Sequence, residues 1–166
     1  MLGVVRVCGQ TFFETVFKGC MDNLSGTVAL IVGAGRGIGR ASAEMLAAAG
    51  ADLVIASRNE AELAELAFKL ERRQGARVVA VPTDATDGAS VAQLVGEATR
   101  AFGRVDTLVY SAGVGILKPF GETSAEDFQL LLDTNVRGAF NVCKAVLPLM
   151  EKQKSGRVIA LPGILH

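Results

Sequence analysis

Four glycines fall within seven residues of this chain, between an apolar run at 27–32 (TVALIV) and an alanine-rich segment at 37–49. The β-branched run predicts a strand, and the segment that stops at Gly50 predicts a helix. A turn between strand and helix admits an anion closely only where side chains are absent, and the helix N-terminus then directs free N–H groups at it. We therefore predict that the turn binds the phosphates of a dinucleotide through Gly33, Gly35, Gly37 and Gly39.

Short apolar runs and helical segments alternate along the rest of the chain. Further strands are predicted at 52–57, 77–81, 105–110 and 157–161, and helices at about 60–74, 87–102 and 125–152. Runs that are apolar almost throughout are typical of parallel strands buried on both faces. The alternation predicts an α/β fold with a doubly wound parallel sheet of Rossmann-type topology, incomplete at about five strands. Ligands of such folds bind where the strand order reverses.

The second helix carries clear start and stop signals. Asn59 is a favourable N-cap, and Glu62 three residues later completes a capping-box pattern. Gly75 lies where the helix should end. The apolar content of this helix comes from Leu63, Leu66, Phe68 and Leu70.

The end of the second strand indicates which dinucleotide binds. Sites for NAD(H) place an acidic side chain about 20 residues after the glycine turn, for the ribose hydroxyls. This chain instead has Ser57 and Arg58 there. A guanidinium binds a 2′-phosphate through two hydrogen bonds, and Arg36 inside the turn is a second candidate for the same phosphate. The sequence therefore favours NADP(H) over NAD(H), and the missing acid argues against S-adenosylmethionine.

Composition narrows the partners of this chain. Its 17 basic and 17 acidic residues balance, so no net positive field attracts nucleic acid. The three cysteines, Cys8, Cys20 and Cys143, are too widely spaced for a zinc site or a disulfide framework. No apolar run reaches the ~20 residues of a membrane span, and the N-terminus lacks the pattern of a signal peptide. We expect a cytoplasmic protein with no metal, nucleic-acid or membrane partner.

Residues 1–24 differ from the rest because they show no clear period, whereas the domain pattern begins near residues 21–26. Two interpretations stay open. Residues 1–20 are an atypical upstream extension, with Met21 as the natural start, or they form a short helix packed on the outside. In either case the dinucleotide-binding domain is predicted at 25–166.

Residues 25–166 resemble the short-chain dehydrogenase/reductase family, over roughly the first two-thirds of a member. The segment 32–39 is similar to the family's TGxxxGIG motif, with Val32 in the place of Thr and Ile38 as the motif's Ile. Two later segments resemble cofactor-binding parts of the family: Asp84 with Ala85 resembles the acid that holds the adenine ring, and Ser111, Ala112 and Gly113 resemble NAG.

A fourth motif resembles the family's catalytic machinery. Asn135 matches its active-site Asn on the fourth helix. The resemblance implies an oxidoreductase that acts on a carbonyl or a secondary alcohol as its small-molecule substrate. It also implies a homo-oligomer that pairs through the helix around 125–152. The apolar residues of this helix are expected to lie mostly in the core, with some left uncovered in a monomer: Phe128, Leu131, Leu132, Phe140, Val142, Val146 and Met150.

The proton donor of the family has no counterpart in this sequence. The resemblance implies a Tyr whose pKa is lowered by a Lys four residues later, and a Ser that orients the substrate oxygen. The one tyrosine, Tyr110, ends a predicted buried strand and is followed four residues later by Val114. Gly163 stands at the place of the Ser, and the sequence ends at His166 before a YxxxK segment. We therefore expect a truncated family member in which Tyr110 lies in the core or lines the pocket.

Three interpretations of the chain remain open. It is the cofactor-binding portion of an NADP(H)-dependent oxidoreductase, or a catalytically silent dinucleotide-binding fragment or regulatory module, or a chain that does not fold stably. The substrate cannot be inferred from these residues, since family members differ mostly beyond the last one.

Overall fold

A computed structural model describes residues 23–161. The interpretations of residues 1–20, and those of Gly163 and His166, lie outside this range. The chain forms one parallel sheet with the strand order β3-β2-β1-β4-β5. Its strands are β1 Val28–Val32, β2 Asp52–Ser57, β3 Val78–Pro82, β4 Thr107–Tyr110 and β5 Arg157–Ala160. The predicted doubly wound α/β fold is confirmed.

Five α-helices connect and cover these strands: α1 Gly37–Ala48, α2 Glu60–Gln74, α3 Gly88–Phe102, α4 Ala125–Leu132 and α5 Gly138–Gln153. A 3₁₀ turn, Phe120–Glu122, precedes α4, and a π-helical segment, Asp133–Arg137, joins α4 to α5. None of these helices is long and apolar enough to cross a membrane.

The strand order reverses next to β1. The chain runs outward from β1 to β2 and β3 and then returns to the other side of β1 to form β4. In the sheet register, Val32 at the end of β1 lies between Ala56 of β2 and Tyr110 of β4. The C-terminal ends of β1 and β4 therefore border the crevice in which folds of this type bind ligands.

Two hydrophobic clusters hold the sheet from opposite faces. On one face, Leu30 and alternate strand residues pack with buried side chains of α3 and α5, such as Leu94 and Val146. On the other face, Ile31 and the strand residues that point the same way, such as Leu53, pack with α1 and α2, for example with Leu66. Alternate residues of a strand point to opposite faces, so an apolar run such as β1 supplies both clusters.

The prediction that all strands are buried on both faces is wrong at the sheet edges. All residues of β1 are buried, but all four residues of β5 are exposed, including Val158 and Ile159. In β3 only Val81 is buried. The reason is position in the sheet, since β3 and β5 each pair with one strand among residues 23–161.

The single long helix predicted at 125–152 is also wrong in detail, because the π-helical segment divides it. Val142, Val146 and Met150 of α5 are buried as expected. Phe128 and Phe140 are 57% and 61% exposed, in line with the expectation that some apolar residues of this helix are left uncovered. Neither side chain belongs to the two hydrophobic clusters that the described residues form on the sheet, and Nζ of Lys144 lies 5.7 Å from the centre of the Phe140 ring.

The start and stop signals of α2 are largely confirmed. The side chain of Asn59 accepts hydrogen bonds from the N–H groups of Ala61 (3.1 Å) and Glu62 (3.3 Å), and Gly75 ends the helix at φ 68°. The reciprocal half of the capping box is not formed within residues 23–161. Phe68 is not part of the core either, because it is 61% exposed with the guanidinium of Arg72 over its ring.

Candidate dinucleotide-binding site

The glycine-rich turn between β1 and α1 leaves no room for a side chain at Gly33 and Gly39. Gly33 has a φ of 90°, and a Cβ there would lie 2.5 Å from the backbone nitrogen of Ala112. A Cβ on Gly39 would collide with the carbonyl oxygen of Gly33. Both positions therefore require glycine, and the turn packs directly against the segment that follows β4.

Helix α1 begins at this turn without a side-chain cap. Arg36 is its N-cap residue, forms no capping hydrogen bond, and is followed by no acidic residue in the first turn. In contrast, Asn59, Asp87 and Ser124 cap α2, α3 and α4 through their side chains. The N-terminal N–H groups and the positive end of the dipole of α1 are thus left for an anion.

The end of β2 lies beside the turn, as the topology requires. The hydroxyl of Ser57 lies 3.1 Å from the position of a Cβ on Gly35, and it donates a weak hydrogen bond to the carbonyl of Asn59 (3.3 Å). Arg36 and Arg58 are both exposed, and neither forms an ion pair within residues 23–161. Both guanidinium groups are therefore free of carboxylate partners among the described residues.

Glu62 was assigned only to the capping box, and the structure gives it a different place. A Cβ on Gly35 would collide with Oε2 of Glu62, so this carboxylate lies over the glycine turn. The sequence carries no local signal for this position, because it depends on how α2 packs against the turn. An open depression of about 710 Å³ lies next to it, against Arg58, Asn59, Glu60, Ala61 and Ala64.

Asp84 follows β3 and is held by a local turn. Its Oδ1 accepts hydrogen bonds from the N–H and the hydroxyl of Thr86, at 2.9 and 2.8 Å. These two bonds, aided by the charge of Arg58, lower the pKa of Asp84 below its ordinary value. The structure places this carboxylate and the buried Ala85 at the same edge of the sheet as Ser57.

The segment after β4 is fixed by two sets of bonds. The N–H of Ser111 donates to the carbonyl of Val32 (2.8 Å), which extends the pairing of β4 with β1. The side-chain amide of Asn135 accepts from the N–H of Val114 and donates to its carbonyl, both at 2.9 Å. In this structure the amide of Asn135 therefore braces the backbone of the segment that includes Ala112 and Gly113.

Tyr110 is buried, as predicted, and is 2% exposed. Its hydroxyl donates a hydrogen bond to the carbonyl of Thr134 at 2.6 Å. Burial raises the pKa of this phenol to about 12, to which the neighbouring Cys143 and Asp84 contribute. A tyrosine in this state is a poor proton donor to a substrate, since its proton is already engaged inside the protein.

The sequence-predicted residues thus meet at one edge of the sheet. The glycine turn with Ile38, the end of β2, Asp84 and the segment 111–113 all lie at the C-terminal ends of the strands. Asn135 joins them through Val114. Within residues 23–161, no group of three or more His, Cys, Asp or Glu side chains is arranged to hold a metal ion.

The residues fit the demands of a dinucleotide. Gly33 and Gly39 lie too close to neighbouring backbone for a side chain, α1 has no side-chain cap, and Arg58 follows the end of β2. These are the features that bind a pyrophosphate and a substituted ribose in this fold.

Comparison with known proteins agrees with this geometry. The chain is 42% identical over 144 residues to the oxidoreductase UcpA of Salmonella typhimurium, an alignment that covers 87% of this chain and 54% of that protein. It thus spans about half the length of the curated relatives it matches.

Two solved structures are similar over 84% of the chain. They are L-sorbose reductase from Gluconobacter frateurii, complexed with NADPH and L-sorbose, and a 7α-hydroxysteroid dehydrogenase, complexed with NADH and 7-oxo glycochenodeoxycholic acid. The TM-score is 0.79 for both, with 33% and 32% sequence identity, and the alignments cover 53% and 54% of those chains.

A model of a whole protein family also matches most of this chain. The family model of the short chain dehydrogenases matches residues 27–162, which include the glycine turn, Asp84, Ser111 and Asn135. This match covers all five strands of the sheet. The chain therefore belongs to the short-chain dehydrogenase/reductase family of oxidoreductases.

Proposed function

We propose that this chain binds NADP(H) and is the cofactor-binding portion of an oxidoreductase that acts on a carbonyl or a secondary alcohol. The observation that carries the proposal is the turn between β1 and α1. It combines tightly packed glycines, Gly33 and Gly39, with a helix N-terminus that has no side-chain cap. It also lies at the point where the strand order reverses, which is where dinucleotides bind in such sheets.

The preference for NADP(H) rests on charge at the end of β2. Arg58 directly follows Ser57 and Arg36 lies in the glycine turn, both side chains are exposed, and a guanidinium matches the geometry of a phosphate. The similar solved structures contain NADPH in one case and NADH in the other, so they do not decide the preference for this chain.

Each predicted residue has a role in this proposal. The N–H groups of the turn and of α1 bind the pyrophosphate, and Asp84 with Ala85 contacts the adenine. Ser111, Ala112 and Gly113 line the cofactor between β4 and the turn, where Asn135 holds the adjoining backbone. When bound, the nicotinamide supplies the hydride that is exchanged with the substrate carbon.

A second candidate is a module that binds the dinucleotide without turnover. The state of Tyr110, the only tyrosine in the sequence, favours this second candidate. The residue is buried, its hydroxyl is bonded to the carbonyl of Thr134, and its pKa is raised. Protonation of an alkoxide requires a positioned acid whose pKa lies near the operating pH. We therefore propose that the 166-residue chain binds NADPH but does not oxidise it with ketones.

The uncovered face of α4 and α5 supports a proposal about assembly. Exposed apolar side chains four residues apart, Phe128, Leu132, Val136 and Phe140, form this face across α4, the π-helical segment and α5. We propose that copies pair through this face in the cytoplasm. Sedimentation of the wild type and of Phe140→Asp tests the pairing, and equal masses at all concentrations contradict it.

Direct titration tests the main proposal. The chain contains no tryptophan, so the fluorescence of NADPH can be followed without energy transfer from indole. We expect saturable binding that Arg58→Ala weakens about tenfold, because one bidentate phosphate contact is lost. Arg100→Ala, on the exposed side of α3, is the matched control and should bind as the wild type does.

Two outcomes contradict parts of the proposal. A wild-type chain that binds neither NADPH nor NADH contradicts dinucleotide binding altogether. Oxidation of NADPH by the 166-residue chain in the presence of a panel of ketones contradicts the second candidate, binding without turnover, and favours the first.

A further inference from the structure

The carboxylate of Glu62 lies at the junction of the glycine turn and β2. A Cβ on Gly35 would collide with Oε2 of Glu62 and lie 3.1 Å from Oγ of Ser57. Both oxygens therefore lie on the same side of Gly35. In dinucleotide sites of this fold, the end of β2 is where the adenosine ribose and its 2′ substituent bind.

No ion pair neutralises this carboxylate within residues 23–161. The neighbouring acids of the α1–α2 surface are paired, because Glu44 accepts from Lys69 (2.6 Å) and Glu65 from Arg40 (2.7 Å). Glu62 pairs with neither cation, and its side chain does not complete the capping box with Asn59. It therefore contributes a negative charge to the corner that also contains Arg58.

We propose that Glu62 sets how strongly this site distinguishes NADP(H) from NAD(H). The inference rests on the proposed function, since it assigns a residue to the ribose end of the same site. The 2′-phosphate of NADP(H) carries about two negative charges at neutral pH, so it is attracted by Arg58 and Arg36 and repelled by Glu62. The 2′-hydroxyl of NAD(H) instead donates a hydrogen bond to a carboxylate.

The consequence is a site with opposed charges. Glu62, the third residue of α2, takes over part of the role that an acid at the end of β2 has in NAD(H) sites. The arginines still favour NADP(H), but Glu62 narrows that preference. Removal of the negative charge at residue 62 should widen it.

The experiment is a pair of titrations of the full chain, one with NADPH and one with NADH, followed by nicotinamide fluorescence. For Glu62→Gln, which keeps the shape of the side chain, we expect the Kd for NADPH to fall about tenfold, equivalent to about 1.4 kcal/mol. The Kd for NADH should rise by up to about threefold, since a charged acceptor is replaced by a neutral one.

Two further variants make the result specific. Glu71→Gln removes the same charge nine residues later on α2, about 14 Å along the helix axis, and should leave both Kd values as in the wild type. Glu62→Lys reverses the charge and should shift the ratio of the two Kd values further in the same direction. Thermal unfolding of each variant shows that the domain is folded.

The outcomes separate the two proposals. A Glu62→Gln variant whose ratio of Kd values stays within about twofold of the wild type overturns the role of Glu62 and leaves dinucleotide binding intact. An equal shift in Glu71→Gln also overturns it, because the effect would then come from net charge. Failure of the wild type to bind either nucleotide overturns the proposed function itself.

Discussion

The hydroxyl of Tyr110, at the C-terminal end of β4, donates a hydrogen bond to the backbone carbonyl of Thr134, 2.6 Å away. Thr134 belongs to the π-helical segment between α4 and α5, and the same segment contains Asn135. A Cβ on Gly138 would collide with this hydroxyl. The absence of a side chain at Gly138 therefore lets the tyrosine hydroxyl lie against the start of α5. The side chain of Tyr110 thus connects β4, an inner strand of the sheet, to the π-helical segment. Such segments are often found at functional sites.

Replacement of Tyr110 by Phe should destabilise the domain. The aromatic ring still fills the core, but the carbonyl of Thr134 loses its donor in a part-buried place, so we expect a loss of about 1–2 kcal/mol in the free energy of unfolding. Urea denaturation measures it. Thr134→Ala is the control, because its backbone carbonyl remains, and it should change stability by less than about 0.5 kcal/mol. Equal effects of both variants would contradict the assigned bond.

Gly138→Ala should be destabilising because of the same hydroxyl. We expect a loss of about 1–3 kcal/mol, the usual effect of an added methyl in a packed interior. In the double variant with Tyr110→Phe the hydroxyl is gone, so the cost of the alanine should fall by about half or more. Strict additivity in this double-mutant cycle would show that the methyl clashes elsewhere.

Replacement of a different glycine, Gly96, by alanine should have the opposite effect on stability. Gly96 lies inside α3, and a Cβ there would meet nothing within 4 Å. Gly96→Ala should therefore stabilise the domain by up to about 1 kcal/mol, since alanine is the better helix former. The two alanine variants are compared by the midpoint of urea unfolding.

Asn135 should control the order of the segment after β4. Its amide bonds to both the N–H and the carbonyl of Val114, and Asn135→Ala removes both bonds. We expect a loss of about 1–3 kcal/mol and faster hydrogen exchange at the amide of Val114. Asn141→Ala, on the following helix α5, is a control, because its amide donates to the carbonyls of Ala85 and Thr86 instead. Unchanged exchange at Val114 in Asn135→Ala would argue against the bracing role.

The pKa of Asp84 predicts a pH dependence. The bonds from Thr86 lower this pKa from its ordinary value of 3.8. A carboxyl group whose pKa is lower in the folded state adds stability that is fully present above the unfolded pKa and is lost as the pH falls through the folded one. The difference in unfolding free energy between wild type and Asp84→Ala should thus be constant above about pH 5 and shrink below about pH 4.

Urea titrations at a series of pH values measure this difference. Thr86→Val removes the hydroxyl donor but keeps the backbone N–H, so it should move the loss of stability toward higher pH. A difference between wild type and Asp84→Ala that grows on acidification would contradict the direction of the shift.

Much of the fold could be predicted because its signals are local. The bounds of β2 match the prediction, and Asn59 and Gly75 cap α2 as their chemistry requires. The glycine turn was found from the spacing of its residues after an apolar strand. Each of these features depends on backbone conformation within a few residues, which residue type strongly constrains.

Other features could not be predicted since they depend on residues distant in sequence. The exposure of β5 follows from its edge position, although three of its four residues, Val158, Ile159 and Ala160, are apolar. The π-helical segment forms where Tyr110 and Gly138 meet, 28 residues apart in the sequence. The burial of a side chain depends on which other elements pack against it. The periodicity of apolar residues in the sequence does not contain this information.

The sequence by itself determined the parallel α/β architecture, the glycine-rich turn and the basic end of β2, since strand propensity, glycine spacing and side-chain charge are local properties. Only the tertiary structure decided where the side chains of Glu62, Asn135 and Tyr110 lie. Their positions are set by contacts across the sheet and between helices: Glu62 over the glycine turn, Asn135 on Val114 and Tyr110 on Thr134. Such contacts exist only once the chain has packed, because packing brings together groups that the sequence keeps apart.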